Sequence, residues 1–112
     1  MSSDIIQTMD EKWHPICHVE DIPRLGGRTV RLDQIEIAVF RLGDGRIRAV
    51  DNRCPHKQGP LAEGMVSGDH VICPLHARKI NLETGEVLKP DSGCVKTWPV
   101  RIEDGQVFLL LG

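Results

Sequence analysis

The chain of 112 residues contains no tyrosine, and its aromatic residues are limited to Trp13, Trp98, Phe40 and Phe108. So few large rings leave a small core short of apolar area, which favours a domain that leans on a metal site, because binding a structural metal contributes directly to folding free energy. Long apolar runs are missing as well. The longest, Val107 to Leu111, has five residues, against about 20 for a bilayer-spanning helix. No membrane span is expected. The opening residues, MSSDIIQTMDEKW, have neither a basic start nor a long apolar stretch, so no secretory leader is expected and the protein is placed in the cytoplasm. Positive charge is not in excess: Lys and Arg number 14 against 16 Asp and Glu, for a net charge of −2. Nothing then drives binding to nucleic acid or to an anionic membrane. The size and the ordinary apolar fraction predict a single domain over 1–112, with 1–11 as a flexible tail.

Sustained apolar repeats at helical spacing are also absent, and short runs rich in β-branched residues stand between turn signals. The expected class is all-β. Candidate strands cover Trp13 to His18, Thr29 to Leu32, Glu36 to Leu42 and Ile47 to Asn52, the last two forming a hairpin across Gly43-Asp44-Gly45. A second hairpin joins Val95 to Ile102 with Gln106 to Leu110, where Asp104-Gly105 suits the positive-φ positions of a tight turn. Pro99 within the first of these strands predicts an edge position or a bulge.

Between Asn52 and Pro90 the texture changes to short apolar pieces punctuated by Gly59, Pro60, Gly64, Gly68, Pro74 and Gly85. This stretch reads as a small insert carried on the hairpins, with mini-strands near Val71 to Cys73, Lys79 to Leu82 and Glu86 to Leu88, the last two turned by Thr84-Gly85. It contains Cys54-Pro55-His56 and, after sixteen intervening residues, Cys73-Pro74-Leu75-His76. Each half offers one thiolate and one imidazole. A Rieske [2Fe–2S] centre needs this donor set, with two histidines replacing two cysteines on one of its irons. A mononuclear zinc site is the competing use, but it usually groups cysteines in one half and histidines in the other, at wider spacing than Cys54 to His56. A two-disulfide scaffold is the other use of four cysteines, and it requires an oxidising compartment.

The paired C-x-H and C-x-x-H halves resemble the Rieske family. The resemblance implies a [2Fe–2S] cluster, with Cys54 and Cys73 on the buried iron and His56 and His76 on the iron nearest the surface. It also implies a Rieske-type antiparallel β-sandwich base with a small inserted cluster-binding subdomain, here 53–90. High-potential respiratory members carry an additional cysteine in each cluster loop, and a tyrosine and a serine that donate to sulfur. This chain has Gly59 and Leu75 at the cysteine positions and Ala77 after the second histidine. The missing donors predict a potential toward the lower end of the roughly −150 to +300 mV Rieske range, as in ferredoxin-type members. The stretches CPHKQGPLAEG, CPLHARKINLETGEV and PDSGCVKTWPV resemble the small subunit of assimilatory NAD(P)H-dependent nitrite reductase. That branch implies a large-subunit partner with FAD, a [4Fe–4S] cluster and sirohaem. The alternative is a free Rieske ferredoxin serving an aromatic-ring dioxygenase. With no Gly-rich nucleotide fingerprint, the chain is not expected to hold its own flavin or nicotinamide.

One-electron relay is therefore the expected function, with no catalytic site for substrate on this chain. Reduction adds negative charge beside the ligand imidazoles and raises their pKa values, so the potential is expected to fall at alkaline pH. Arg53, Lys57, Arg78 and Lys79 form a basic rim suited to an acidic partner. Cys17 and Cys94 are expected as small buried hydrophobes, His14, His18 and His70 as scaffold residues, and Trp13 and Trp98 as core anchors. Pro90 is expected to begin a segment covering the cluster.

Overall fold

The run Ile37-Ala38-Val39-Phe40 is apolar at every position, and all four residues are fully buried. Successive side chains of a strand point to opposite faces, so this strand must be covered on both sides. Two separate cores do this. Ile37 and Val39 join Cys17, Val30, Ile47, Ala49, Trp98, Val107 and Leu109, whereas Ala38 and Phe40 join Val50, Leu61, Val66, Val71, Ile80 and Leu82. The computed structural model describes residues 13–32, 35–52, 60–74, 78–88 and 93–110.

Ten strands are present in those residues: β1 (Trp13–His18), β2 (Gly27–Leu32), β3 (Ile35–Arg41), β4 (Ile47–Asp51), β5 (Met65–Ser67), β6 (His70–Ile72), β7 (Lys79–Asn81), β8 (Thr97–Trp98), β9 (Val100–Glu103) and β10 (Gln106–Leu110). They form three sheets, ordered β1-β10-β9, β2-β3-β4-β8 and β5-β6-β7, and the strand pairs within them are antiparallel. The four-stranded sheet is the middle layer. One of its faces packs on the β1-β10-β9 sheet to make a sandwich base, and the other carries the β5-β6-β7 sheet, which stands between β4 and β8 in the chain. No helix among the described residues is long and apolar enough to cross a membrane.

Both long hairpins are found. Leu42 N–H donates to Arg46 O across the first turn, and Asp104 and Gly105 adopt φ of 52° and 81° in the second. Pro15 is tolerated in β1 because β1 is an edge strand, and a register shift follows it before Cys17.

Three elements differ from the expected strands. The expected strand from Val95 to Ile102 is two strands, since β8 pairs with β4 and β9 with β10. Pro99 lies between them, and having no N–H to donate it serves where the chain crosses from one base sheet to the other. Glu86 to Leu88 makes only isolated bridges, Ile80 to Val87 and Glu86 to Cys94. The unanticipated β5 is bracketed by Gly64 and Gly68 and pairs fully with β6. Two 3₁₀ turns, Val19–Asp21 and Leu61–Glu63, complete the described structure. The expected tail, 1–11, lies outside the described residues.

Candidate metal centre

Cys73 directly follows β6 and is 1% exposed, in the core shared by the outer and middle sheets. Its backbone N–H donates to Arg78 O at 2.7 Å, so the stretch bearing His76 begins and ends at a closed neck. The stretch bearing Cys54 and His56 has a neck of its own, where Leu61 N–H donates to Asn52 O at 3.1 Å. The two necks share one core, because Leu61 and Ala62 pack in the same cluster as Cys73. Gly64 allows this approach: a Cβ there would collide with the carbonyl oxygen of Ile72, the residue before Cys73. Cys54, His56 and His76 themselves lie outside the described residues, as do Arg53, Lys57 and Pro90.

Of the expected basic rim, Arg78 is half-buried and Lys79 is exposed. Cys17 is buried as expected, and burial pushes its thiol pKa up, with Arg28 opposing and Asp21 adding to the rise. Cys94 corrects the expectation of a buried hydrophobe, because it is exposed. Its backbone bridges Glu86 at the surface end of the insert while the neighbouring Val95 supplies the buried side chain. His18 acts as scaffold: its Nδ1 accepts from Glu20 N–H at 3.3 Å, and its N–H donates to Asp21 Oδ2 at 3.1 Å, capping the first 3₁₀ turn. His14 is exposed on β1 and His70 half-buried on β6. Trp98 is a core residue, with Lys96 Nζ 4.1 Å above its ring. Trp13 is only half-buried, with the Arg101 guanidinium 5.8 Å from its ring centre. One residue that sequence reasoning passed over is Asn52, the buried polar side chain beside the first neck. Its position just before the C-x-H half was the only available signal.

A thiol sulfur held in an apolar, water-excluding core suits ligation of a buried iron, and a donor set of two thiolates and two imidazoles on two short closed stretches suits a two-iron cluster. The residues present fit that group. Three antiparallel sheets, the outer one carrying this cysteine between its second and third strands, define a Rieske domain, and the chain belongs to the family of Rieske-like [2Fe–2S] domains, whose model matches residues 12–109. It carries a Rieske-type [2Fe–2S] cluster and works in ferredoxin-type electron transfer. Among its relatives is the 3-phenylpropionate/cinnamic acid dioxygenase ferredoxin subunit of Photorhabdus laumondii, 36% identical over 96 residues, covering 84% of this chain and 90% of that one. The NAD(P)H nitrite reductase large subunit of Klebsiella oxytoca is 33% identical over 102 residues, covering 87% of this chain but 11% of that protein. A structure assigned as the NADH-dependent nitrite reductase small subunit of Mycobacterium tuberculosis superposes with a TM-score of 0.82 at 25% identity, covering 91% of this chain and 96% of that one.

Proposed function

We propose that Cys54 and Cys73 hold the buried iron and His56 and His76 the outer iron, within a cluster-binding subdomain spanning 53–90. The chain then serves as the electron-transfer small subunit of an NAD(P)H-dependent nitrite reductase. Its partner is a large subunit bearing FAD, a [4Fe–4S] cluster and sirohaem, where nitrite is reduced to ammonium. When bound, the [2Fe–2S] cluster takes up and passes on one electron at a time. The chain's own residues do the rest. Burial of Cys73 keeps water from its sulfur, the two necks bring the ends of the ligand-bearing stretches to one core, and Lys79, across from Ile72 on β6, adds an exposed positive charge for an acidic partner surface.

The observation that carries the nitrite reductase reading is the likeness over nearly the whole length of the Mycobacterium small subunit. The segment Gly93 to Thr97, part of the sequence resemblance to that branch, supports it as a strap between insert and base. Val87 N–H donates to Gly93 O, Val95 N–H to Gly85 O and Asp51 N–H to Lys96 O. The second reading is a free ferredoxin for an aromatic-ring dioxygenase, supported by the 36% identity to the Photorhabdus ferredoxin subunit. Reconstitution separates the two. The cluster-loaded chain is expected to bind a flavin–sirohaem polypeptide and support nitrite-dependent NAD(P)H oxidation, with a rate that falls as ionic strength rises. Reduction of a ring-hydroxylating oxygenase instead, with no effect on nitrite turnover, would replace the first reading by the second.

A further inference from the structure

Asn52 is 2% exposed and is the polar residue buried among the described residues. It directly follows β4, two positions before Cys54, and its hydrogen bonds run in two directions. Toward the base, its side-chain Nδ2 donates to Thr29 Oγ1 and to Glu36 Oε1, both at 3.2 Å, and its backbone N–H donates to Glu36 O at 3.0 Å. Toward the far side of the 53–59 stretch, its Oδ1 accepts from Ala62 N–H at 2.8 Å and its backbone oxygen accepts from Leu61 N–H at 3.1 Å. Those two N–H groups open the Leu61–Glu63 turn, whose preceding residue, Pro60, supplies no side-chain cap. One buried amide side chain thus joins the base strands β2 and β3 to the outgoing arm of the stretch that carries Cys54 and His56, where it supplies the acceptor for the buried Ala62 N–H, and a buried N–H left without an acceptor is costly.

We propose that Asn52 is the positioning residue of that stretch: by tying its outgoing arm to β2 and β3 through one buried amide, it fixes the span within which Cys54 and His56 reach iron. The inference rests on the ligand assignment proposed above. It is tested on the cluster-loaded full chain by iron release to a chelator and by the electron paramagnetic resonance g-values of the reduced protein. Asn52→Ala is expected to release iron about tenfold faster, with shifted g-values and unchanged strand content by circular dichroism. Asn52→Asp keeps the acceptor for Ala62 but sets a carboxylate against Glu36, and is expected to release iron at least as fast. Glu36→Gln added to Asn52→Asp restores the donor with the polarity reversed, and is expected to return release rate and g-values close to those of the unaltered chain. If a single variant takes up no cluster, the same rescue is read as iron and sulfide per chain.

Unchanged release and g-values in both single variants, or a double variant no better than Asn52→Asp, would overturn the role of Asn52. Cys54→Ala reports on the ligand assignment separately. Loss of the cluster there upholds the basis of the proposal, and a retained cluster removes it whatever the Asn52 variants do.

Discussion

The sandwich base and the outer sheet are built to different standards. Strands β1 to β4 of the base run for five to seven residues, and β3 and β4 bury consecutive side chains on both faces of the middle sheet. The outer strands β5, β6 and β7 have three residues each and contribute one inward row, Val66, Val71 and Ile80. A sheet that small does not stand alone in water. It borrows its core from the back of β3, through Ala38 and Phe40, and from the turn at Leu61 and Ala62. The base therefore acts as a folding platform for the outer sheet.

The sharpest way to break this comparison is to remove the cluster. Cys73→Ser is expected to abolish the red-brown colour, iron and inorganic sulfide together, and to strip hydrogen-exchange protection from β5 to β7 while β3 and β10 keep theirs. Equal loss in both regions would show that the base depends on the cluster too. Next come the two faces of the middle layer. Phe40→Ala is expected to cost about 3–5 kcal/mol and Leu109→Ala about 2–5 kcal/mol in denaturant unfolding, by transfer and cavity terms. Only Phe40→Ala should also loosen the outer sheet.

A smaller effect is expected at Gly85, whose φ is 83° and whose added Cβ would run into the Val95 carbonyl oxygen. Gly85→Ala is expected to cost about 2 kcal/mol, read as a lowered Tm, by straining the strap between insert and base. The smallest effect is one of pH. Burial raises the Cys17 thiol pKa in the folded chain, so above the ordinary thiol value the unfolded chain has lost a proton that the folded chain still holds. Stability should then fall as pH rises through that range, and Cys17→Ala should flatten the fall in urea midpoints measured across it. A thiol reagent should label exposed Cys94 in the folded protein and Cys17 only on unfolding.

Legibility in the sequence followed the range of the forces involved. Alternation and the Asp104-Gly105 turn announced the long hairpins because strand period and positive φ are local properties. The strand around Pro99 misled, since a proline at an edge and a proline at a crossing have the same neighbours in sequence, and only the pairing of Trp98 with Ala49 and of Val100 with Leu109 separates them. Met65–Ser67 was too short between glycines to show alternation. Cys94 was indistinguishable by type from Cys17, although one is exposed and the other buried.

Cys54, His56, Cys73 and His76 could be singled out as candidate donors because cluster chemistry demands particular residue types at short covalent spacing, and spacing is written directly in the chain. From sequence alone came the all-β class, the two Cys–His halves and the lack of a Gly-rich nucleotide fingerprint. Only the tertiary structure decided that β3 is covered on both faces, that Pro99 marks the crossing between sheets, and that Asn52 joins the base strands β2 and β3 to the turn at Leu61 and Ala62. Each of these depends on which distant surfaces meet, and burial settles that over the whole chain at once.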